Sequence, residues 1–335
     1  MIEVNNVTKI YKISNRKSFL QDLFLPKTYK KIYAVKNINL YIEQGEKVGY
    51  IGSNGAGKST TVKLLTGIIR PTQGRISING LDPFIDRNDY VKNIGVVFGQ
   101  RNQLFWDLRV RDSFKFNKDL YQLSDNYYKD KMKFFEKYID LHEILDKPVM
   151  KLSLGQKMRA NIALTLLHSP KIIFLDEPTI GLDIFTKAAI REMLLILNKV
   201  YGTTILFTSH DMEDIDKICD RIVLLENGEI IEDKGILDFK EKYGTYKMIS
   251  FKTKNASKIK EKIELLYSDY VQNNNIIIHN EGIANKISIS VDEKSINASE
   301  IIKEIFALDV DVQNIKIDEN NLEDIIRNVY AKGGI

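Results

Sequence analysis

Unbroken apolar runs closed by polar or glycine-rich turns recur over residues 1–240 and alternate with stretches of helical spacing. The runs at 48–51, 94–98, 172–175 and 203–210 suit strands covered on both faces of a parallel sheet. Strict alternation over 34–42 and 75–80 predicts strands with one solvated face. Residues 2–4 and 7–10 read as a short edge strand ending at Tyr11. Asn227-Gly228, between 221–226 and 229–232, predicts a hairpin, because both residues tolerate the positive φ that a two-residue turn needs. Helical spacing follows Lys58, fills most of 103–150 as an insertion, and returns over 153–168, 186–200 and 211–219. The helix at 153–168 has a marked start, since Ser153 and Gln156 fit a capping box, and Pro170 ends it.

Near residue 240 the pattern restarts. Strands are predicted at 246–251, 276–279, 286–291 and 312–317, with helices at 256–267, 295–306 and 322–329. Strand–helix–strand–strand–helix–strand is the ferredoxin-like order. The chain therefore reads as α/β, with a first domain over 1–240, a helical subdomain at about 103–168, and a C-terminal ferredoxin-like α+β domain over 241–335. That second domain carries no phosphate motif and reads as a structural or dimerisation addition, or else as a small-ligand or regulatory module.

Composition narrows the class without changing it. The 335 residues are 44% hydrophobic and 28% charged, ordinary for a globular chain. A net charge of +4 is too mild for a dedicated nucleic-acid binder, so no nucleic-acid partner is expected. The single cysteine, Cys219, excludes an internal disulfide and reads as a small buried apolar residue. No run is long and apolar enough to span a bilayer, and residues 1–5 lack a secretory pattern. The expectation is a cytoplasmic protein whose membrane role comes through a partner. Residues 12–33 mix lysine and arginine with Phe19, Leu20, Leu23, Phe24 and Leu25. They read as a solvated loop with a short packed helix, or as an arm for a membrane surface or partner.

The chemistry concentrates in the stretch 47–66. A strand leads into Gly52, Ser53, Asn54, Gly55, Ala56 and Gly57, and Lys58, Ser59 and Thr60 open a helix. This is G-x-x-x-x-G-K-[ST] in strand–loop–helix context. Its glycines let backbone N–H groups converge on phosphate oxygens, and the helix dipole adds partial positive charge. Lys58 is placed to reach the β- and γ-phosphates and Ser59 to ligate Mg²⁺. Asp176, at the end of the 172–175 run, fits the second Mg²⁺ contact, and Glu177 fits the group that polarises the attacking water. His210, at a third strand end, is placed to hydrogen-bond the γ-phosphate.

In this order, GSNGAGKST, Gln100, LSLGQ, IIFLDEP, GLD and TSH resemble an ATP-binding-cassette ATPase, the nucleotide-binding subunit of an ABC transporter, over about residues 1–240. The resemblance implies ATP and Mg²⁺ as cofactors and ATP hydrolysis coupled to transport. It implies roles by position: Tyr11 stacks on adenine, Gly52–Thr60 is the Walker A loop, and Gln100 senses Mg²⁺ and contacts the permease. Asp176 ligates Mg²⁺, Glu177 is the catalytic carboxylate, Asp183 belongs to the D-loop, and His210 is the switch histidine. Ser153, Leu154, Gly155 and Gln156 form the signature that docks on ATP held by the other protomer, so a second cassette, as a homodimer, is implied. The sequence departs from the family at Leu154, where glycine is usual, and in the longer segment between Tyr11 and Ala34. Gln103 competes with Gln100 for the glutamine role. The runs GVVFGQRNQLFWDL and NLEDIIRNVY resemble an ABC-2-type subgroup related to multidrug and antibiotic exporters, implying separate permease subunits and a peripheral place on the inner face of the membrane. Ribosome- or DNA-acting cassettes fit less well. Only one Walker A motif is present, and the span from Lys58 to Asp176 holds no sustained heptads.

Overall fold

Strand β1 (Ile2–Ser14) pairs along most of its length with β2 (Tyr29–Ile42) in the computed structural model. The structure describes residues 1–14, 29–99, 101–244, 246–267, 276–281, 284–292, 297–319 and 321–331. The chain divides into two units, Met1–Gly235 and Ile236–Ile335.

In the first unit, β3 (Lys47–Gly52) runs into helix α1 (Lys58–Leu65), followed by β4 (Gln73–Ile78), the short α2 (Arg87–Tyr90) and β5 (Ile94–Phe98). A helical arm follows: α3 (Val110–Leu120), α4 (Asp125–Ile139), α5 (His142–Leu145) and α6 (Leu154–Leu166). The chain then returns through β6 (Ile172–Asp176), α7 (Ile184–Tyr201), β7 (Thr204–Thr208), α8 (Met212–Ile218), β8 (Arg221–Glu226) and β9 (Glu229–Gly235). The strands form a three-stranded antiparallel sheet, β2-β1-β4, and a six-stranded sheet, β5-β6-β7-β3-β8-β9, parallel except for its last pair.

Two expectations change. Strand β1 is central, not an edge: Ile2 pairs with Ile42 on one side and Ile78 on the other. Alternation reveals which face is buried, and it is silent on how many neighbours a strand has. The predicted surface loop also begins later and ends earlier than expected, because 12–14 and 29–33 continue the ladder. Residues 15–28, with the apolar positions from Phe19 to Leu25, lie outside the described residues.

The all-apolar reading of 172–175 holds. Every residue of β6 and β7 is buried, with Phe174 and Phe207 fully so, and each such side chain contributes about 1.5–3 kcal/mol. One apolar cluster joins Val4 and Ile38 of the antiparallel sheet, Val62 and Leu65 of α1, and Phe174 and Leu206 of the parallel sheet. Packing on both sides clamps α1, which positions the loop ahead of it. The β8–β9 hairpin turns through Asn227 (φ 50°) and Gly228 (φ 85°), as the dipeptide predicts. Cys219 is buried, and that burial raises its thiol pKa.

The second unit opens with a helix the periodicity did not predict, α9 (Ile236–Tyr243), then continues as β10 (Tyr246–Thr253), α10 (Ala256–Leu266), β11 (Ile276–Glu281), β12 (Ala284–Asp292), α11 (Ala298–Ala307), β13 (Val312–Glu319) and α12 (Leu322–Ala331). Its sheet order is β11-β12-β10-β13, with every neighbouring pair antiparallel. Ile259 and Ile263 of α10 and Ile301 and Ile305 of α11 pack on Ile249, Phe251, Ile287 and Ile289 of the sheet.

Candidate nucleotide site

Strand β3 lies between β7 and β8, and β6 lies beyond β7, so their carboxyl ends bring distant segments together. At the end of β3 the chain turns through Gly55 (φ 84°) and Gly57 (φ 108°) into α1. Space as well as φ requires glycine at 57, since a Cβ there would sit 2.4 Å from the Ala34 carbonyl oxygen. The hairpin supports the loop from behind: Gly228 N–H donates to the Ala56 carbonyl at 3.0 Å, and Lys36 N–H donates to the Gly228 carbonyl at 2.7 Å.

Lys58 is buried at the start of α1. Its Nζ donates to the carbonyls of Gly52 (2.6 Å) and Ser53 (3.2 Å), which leaves one of its three donors. Burial lowers its pKa, while Glu177 and Asp176 act in the opposite direction. At the ends of β6 and β7 the Thr208 hydroxyl serves two carboxylate residues at once. It donates to Asp176 Oδ1 at 2.8 Å and accepts from Glu177 N–H at 3.1 Å. Glu177 N–H also donates to the Thr208 carbonyl at 3.1 Å, holding Glu177 in a left-handed conformation at φ 57°. That turn sends its side chain to His210, whose Nε2 lies 3.0 Å from Glu177 Oε1.

A cleft of about 380 Å³ is lined by Asn54, Lys58, Ser59, Thr60, Glu177 and His210, among others. It offers backbone donors and a cation at one end and a carboxylate–imidazole pair at the other, a set suited to a triphosphate and a water. For a metal, the Ser59 hydroxyl and the Asp176 carboxylate are hard oxygen donors. They match Mg²⁺, which takes its remaining ligands from phosphate and water.

The other predicted residues lie elsewhere. Ser153 caps α6: Gln156 N–H donates to its Oγ at 3.2 Å, and Ser153 N–H donates to Gln156 Oε1 at 3.1 Å. Ser153 and Leu154 are exposed and do not line the cleft. Leu154 leans toward the Gly181-Leu182-Asp183 loop, since a Cβ on Gly181 would lie 3.0 Å from its Cδ2. Asp183 caps α7, accepting from Thr186 N–H (2.9 Å) and Thr186 Oγ1 (2.7 Å), and these bonds hold its carboxyl below the usual range. Tyr11 stands on the β1–β2 ribbon opposite Ile32, with Lys9 Nζ 5.4 Å from its ring. Gln100 lies outside the described residues. Its competitor Gln103 donates from Nε2 to the Val96 carbonyl at 2.5 Å and, from its backbone, to Asn161 Oδ1 at 2.9 Å, so it ties the arm to β5. Sequence reasoning missed Thr208 and Ala34. Both earn their place through neighbours in space, and the one local hint was the position of Thr208 two residues before His210.

Fold and cleft together define a P-loop nucleoside triphosphatase with a helical arm. Residues 35–180 match the family described as ABC transporter. The chain is 34% identical over 202 residues to the ABC transporter ATP-binding protein NatA of Bacillus subtilis, covering 60% of this chain and 82% of the relative. It is 29% identical over 313 residues to the linearmycin resistance ATP-binding protein LnrL of the same organism, covering 93% of this chain and 98% of the relative. Among solved structures, the dimeric post-hydrolysis cassette MJ0796 bound to ADP and Pi matches with a TM-score of 0.61 and 28% identity, over 70% of this chain and 99% of that one. The chain belongs to the ABC transporter family, as an ATP-binding and ATP-hydrolysing subunit.

Proposed function

We propose that this protein is the ATPase of an ABC-2-type export system, pairing with a second copy so that each ATP lies between one copy's Lys58 loop and the other's Ser153. The observation that carries this reading is a separation. Lys58, Ser59, Glu177 and His210 share one cleft, while Ser153, at the exposed N-terminus of α6, stands outside it. Such a helix end attracts anions, and the Ser153 hydroxyl, which accepts from Gln156 N–H, keeps its own proton to donate. One chain supplies each half once. In this arrangement Glu177 orients and deprotonates the attacking water, His210 holds Glu177 and the γ-phosphate in line, and Lys58 draws charge from the phosphates. Ser59 and Asp176 would hold a Mg²⁺, which would supply positive charge at the phosphate oxygens, and Gln100 is proposed as its sensor from sequence position alone. Tyr11 supplies an aromatic face for adenine.

The export assignment rests on the match to a resistance ATP-binding protein along nearly the whole chain, the C-terminal unit included. That unit serves as a structural or dimerisation module, with 1–240 as the cassette. Among the described residues no helix is long and apolar enough to cross a membrane. The exposed Phe105, Trp106, Leu108, Phe116 and Leu120 on the arm make a surface suited to a membrane-embedded permease, which supports a peripheral position at the inner face of the membrane. Steady-state ATPase of Glu177→Gln tests the mechanism. Turnover falls at least about a hundredfold while ATP still drives dimerisation, as read by light scattering. Near-wild-type turnover contradicts it.

A further inference from the structure

Lys131, in the middle of α4, is 5% exposed, and its Nζ has no hydrogen-bond partner among the described residues. Three rings surround the amine. The centroid of Tyr201 lies 4.1 Å away, that of Tyr127 5.7 Å and that of Phe134 5.8 Å. Tyr127 and Phe134 belong to the same helix, whereas Tyr201, about half exposed, is the last residue of α7, outside the arm. The box is therefore the joint where the helical arm rests on the body of the unit. Among the described residues, no neighbouring group adds negative charge, and burial is the one cause of the Lys131 shift. Tyr127 donates its hydroxyl to Ser169 Oγ at 2.6 Å. His168, in the segment after α6, binds the Ile94 carbonyl through Nε2 at 3.0 Å and stacks on Tyr121 at 4.1 Å, with Nδ1 buried and unpartnered. Proximity to Lys131 further lowers the His168 pKa, which burial already depresses.

We propose that Lys131 is a positioning residue that sets how tightly the arm carrying Ser153 rests on the core, its ammonium loosening the joint and its free amine tightening it. Ring faces and the α7 carboxyl end attract the ammonium, yet they replace only part of its lost hydration, and no carboxylate supplies the rest. Burial lowers the Lys131 pKa to about 8. The sign follows from linkage. When the arm lifts or unfolds, the amine regains water and its ordinary, higher affinity for a proton. Between about pH 8 and the ordinary lysine value the docked state therefore binds fewer protons, and docking strengthens as pH rises. Below that window the charge is buried and the joint is strained, which eases the arm's movement toward a partner's ATP. The effect on turnover rests on the two-copy reading above, whereas the effect on stability does not.

The test compares wild type with Lys131→Met, which keeps the length and removes the charge, and Lys131→Arg, which keeps the charge at every pH. Thermal unfolding and steady-state ATPase are followed from pH 7 to 10. Lys131→Met melts about 3 °C above wild type at pH 7, and the gap closes by pH 10 as the wild-type amine loses its proton. Lys131→Arg shows no such gain with pH. Wild-type kcat falls about threefold between pH 8 and 10 at constant KM, Lys131→Met is at the lower value throughout, and Lys131→Arg remains at the upper value. A lower melting point for Lys131→Met at pH 7, or a gap independent of pH, overturns the proposal. An inactive wild type overturns the ATPase reading, and the melting curves still decide the role of Lys131.

Discussion

Thr208 shows how much of the site depends on one uncharged side chain. Its hydroxyl orients Asp176 and Glu177 together, the first through the carboxylate and the second through the backbone. Valine has the same shape and suits a strand, so Thr208→Val removes those bonds with little change in packing. A bond to a carboxylate contributes about 1.5–3 kcal/mol, and Asp176 is the carboxylate proposed to hold Mg²⁺, so a small displacement would misplace that ion. Thr208→Val is therefore expected to lower kcat about tenfold in a steady-state assay with excess Mg²⁺, and unchanged kcat would contradict this role. The carboxylates themselves were legible, because an apolar run ending in Asp176-Glu177 downstream of a phosphate loop has few other readings. Thr208 was not legible, because its pairing with Asp176 is a fact of strand adjacency that local pattern does not encode.

At the scale of the element, the loop before α1 shows why a motif needs its surroundings. Gly55 and Gly57 both have positive φ, and only Gly57 also faces backbone, the Ala34 carbonyl. A Cβ on Gly55 meets nothing within 4 Å. Alanine at 55 should cost about 1–2 kcal/mol of conformational strain and leave ATP affinity within a few fold of wild type. Alanine at 57 must push β2 away from the loop, so ATP binding by calorimetry should fall below detection while the chain remains folded. Equal effects at the two positions would sink this distinction. The hairpin at Asn227-Gly228 could be read from two letters, yet its function as a brace behind the loop could not, since Gly228 meets Ala34 and Ala56 only in the folded sheet. The central place of β1 escaped for the same reason. Helix α9 escaped because eight residues with two buried side chains, Ile236 and Phe239, carry too little periodicity.

For the whole molecule, strand order decides the chemistry. With β3 beside β7 and β6 next to β7, the carboxyl ends of three strands deliver Lys58, Glu177 and His210 to one cleft. The arm leaves after β5 and returns into β6, carrying Ser153 out to solvent on the way. The capping box stiffens that exposed end, and loss of the Ser153 cap costs about 1 kcal/mol of helix stability. Such a loss leaves the fold intact, so a Ser153 variant reports on the site and not on folding.

Mixing two inactive variants is the most direct test of the claim that one copy's Lys58 works with the other's Ser153. Lys58→Ala abolishes the phosphate grip, and Ser153→Arg blocks the helix end, so each alone should be inactive. In a mixed dimer one of the two sites combines an intact loop with an intact serine. Random pairing in equal amounts then restores about a quarter of wild-type ATPase, since about half the dimers are mixed and each has one working site. No recovery on mixing, although mixed dimers form, or full activity of Ser153→Arg alone, would contradict the shared site.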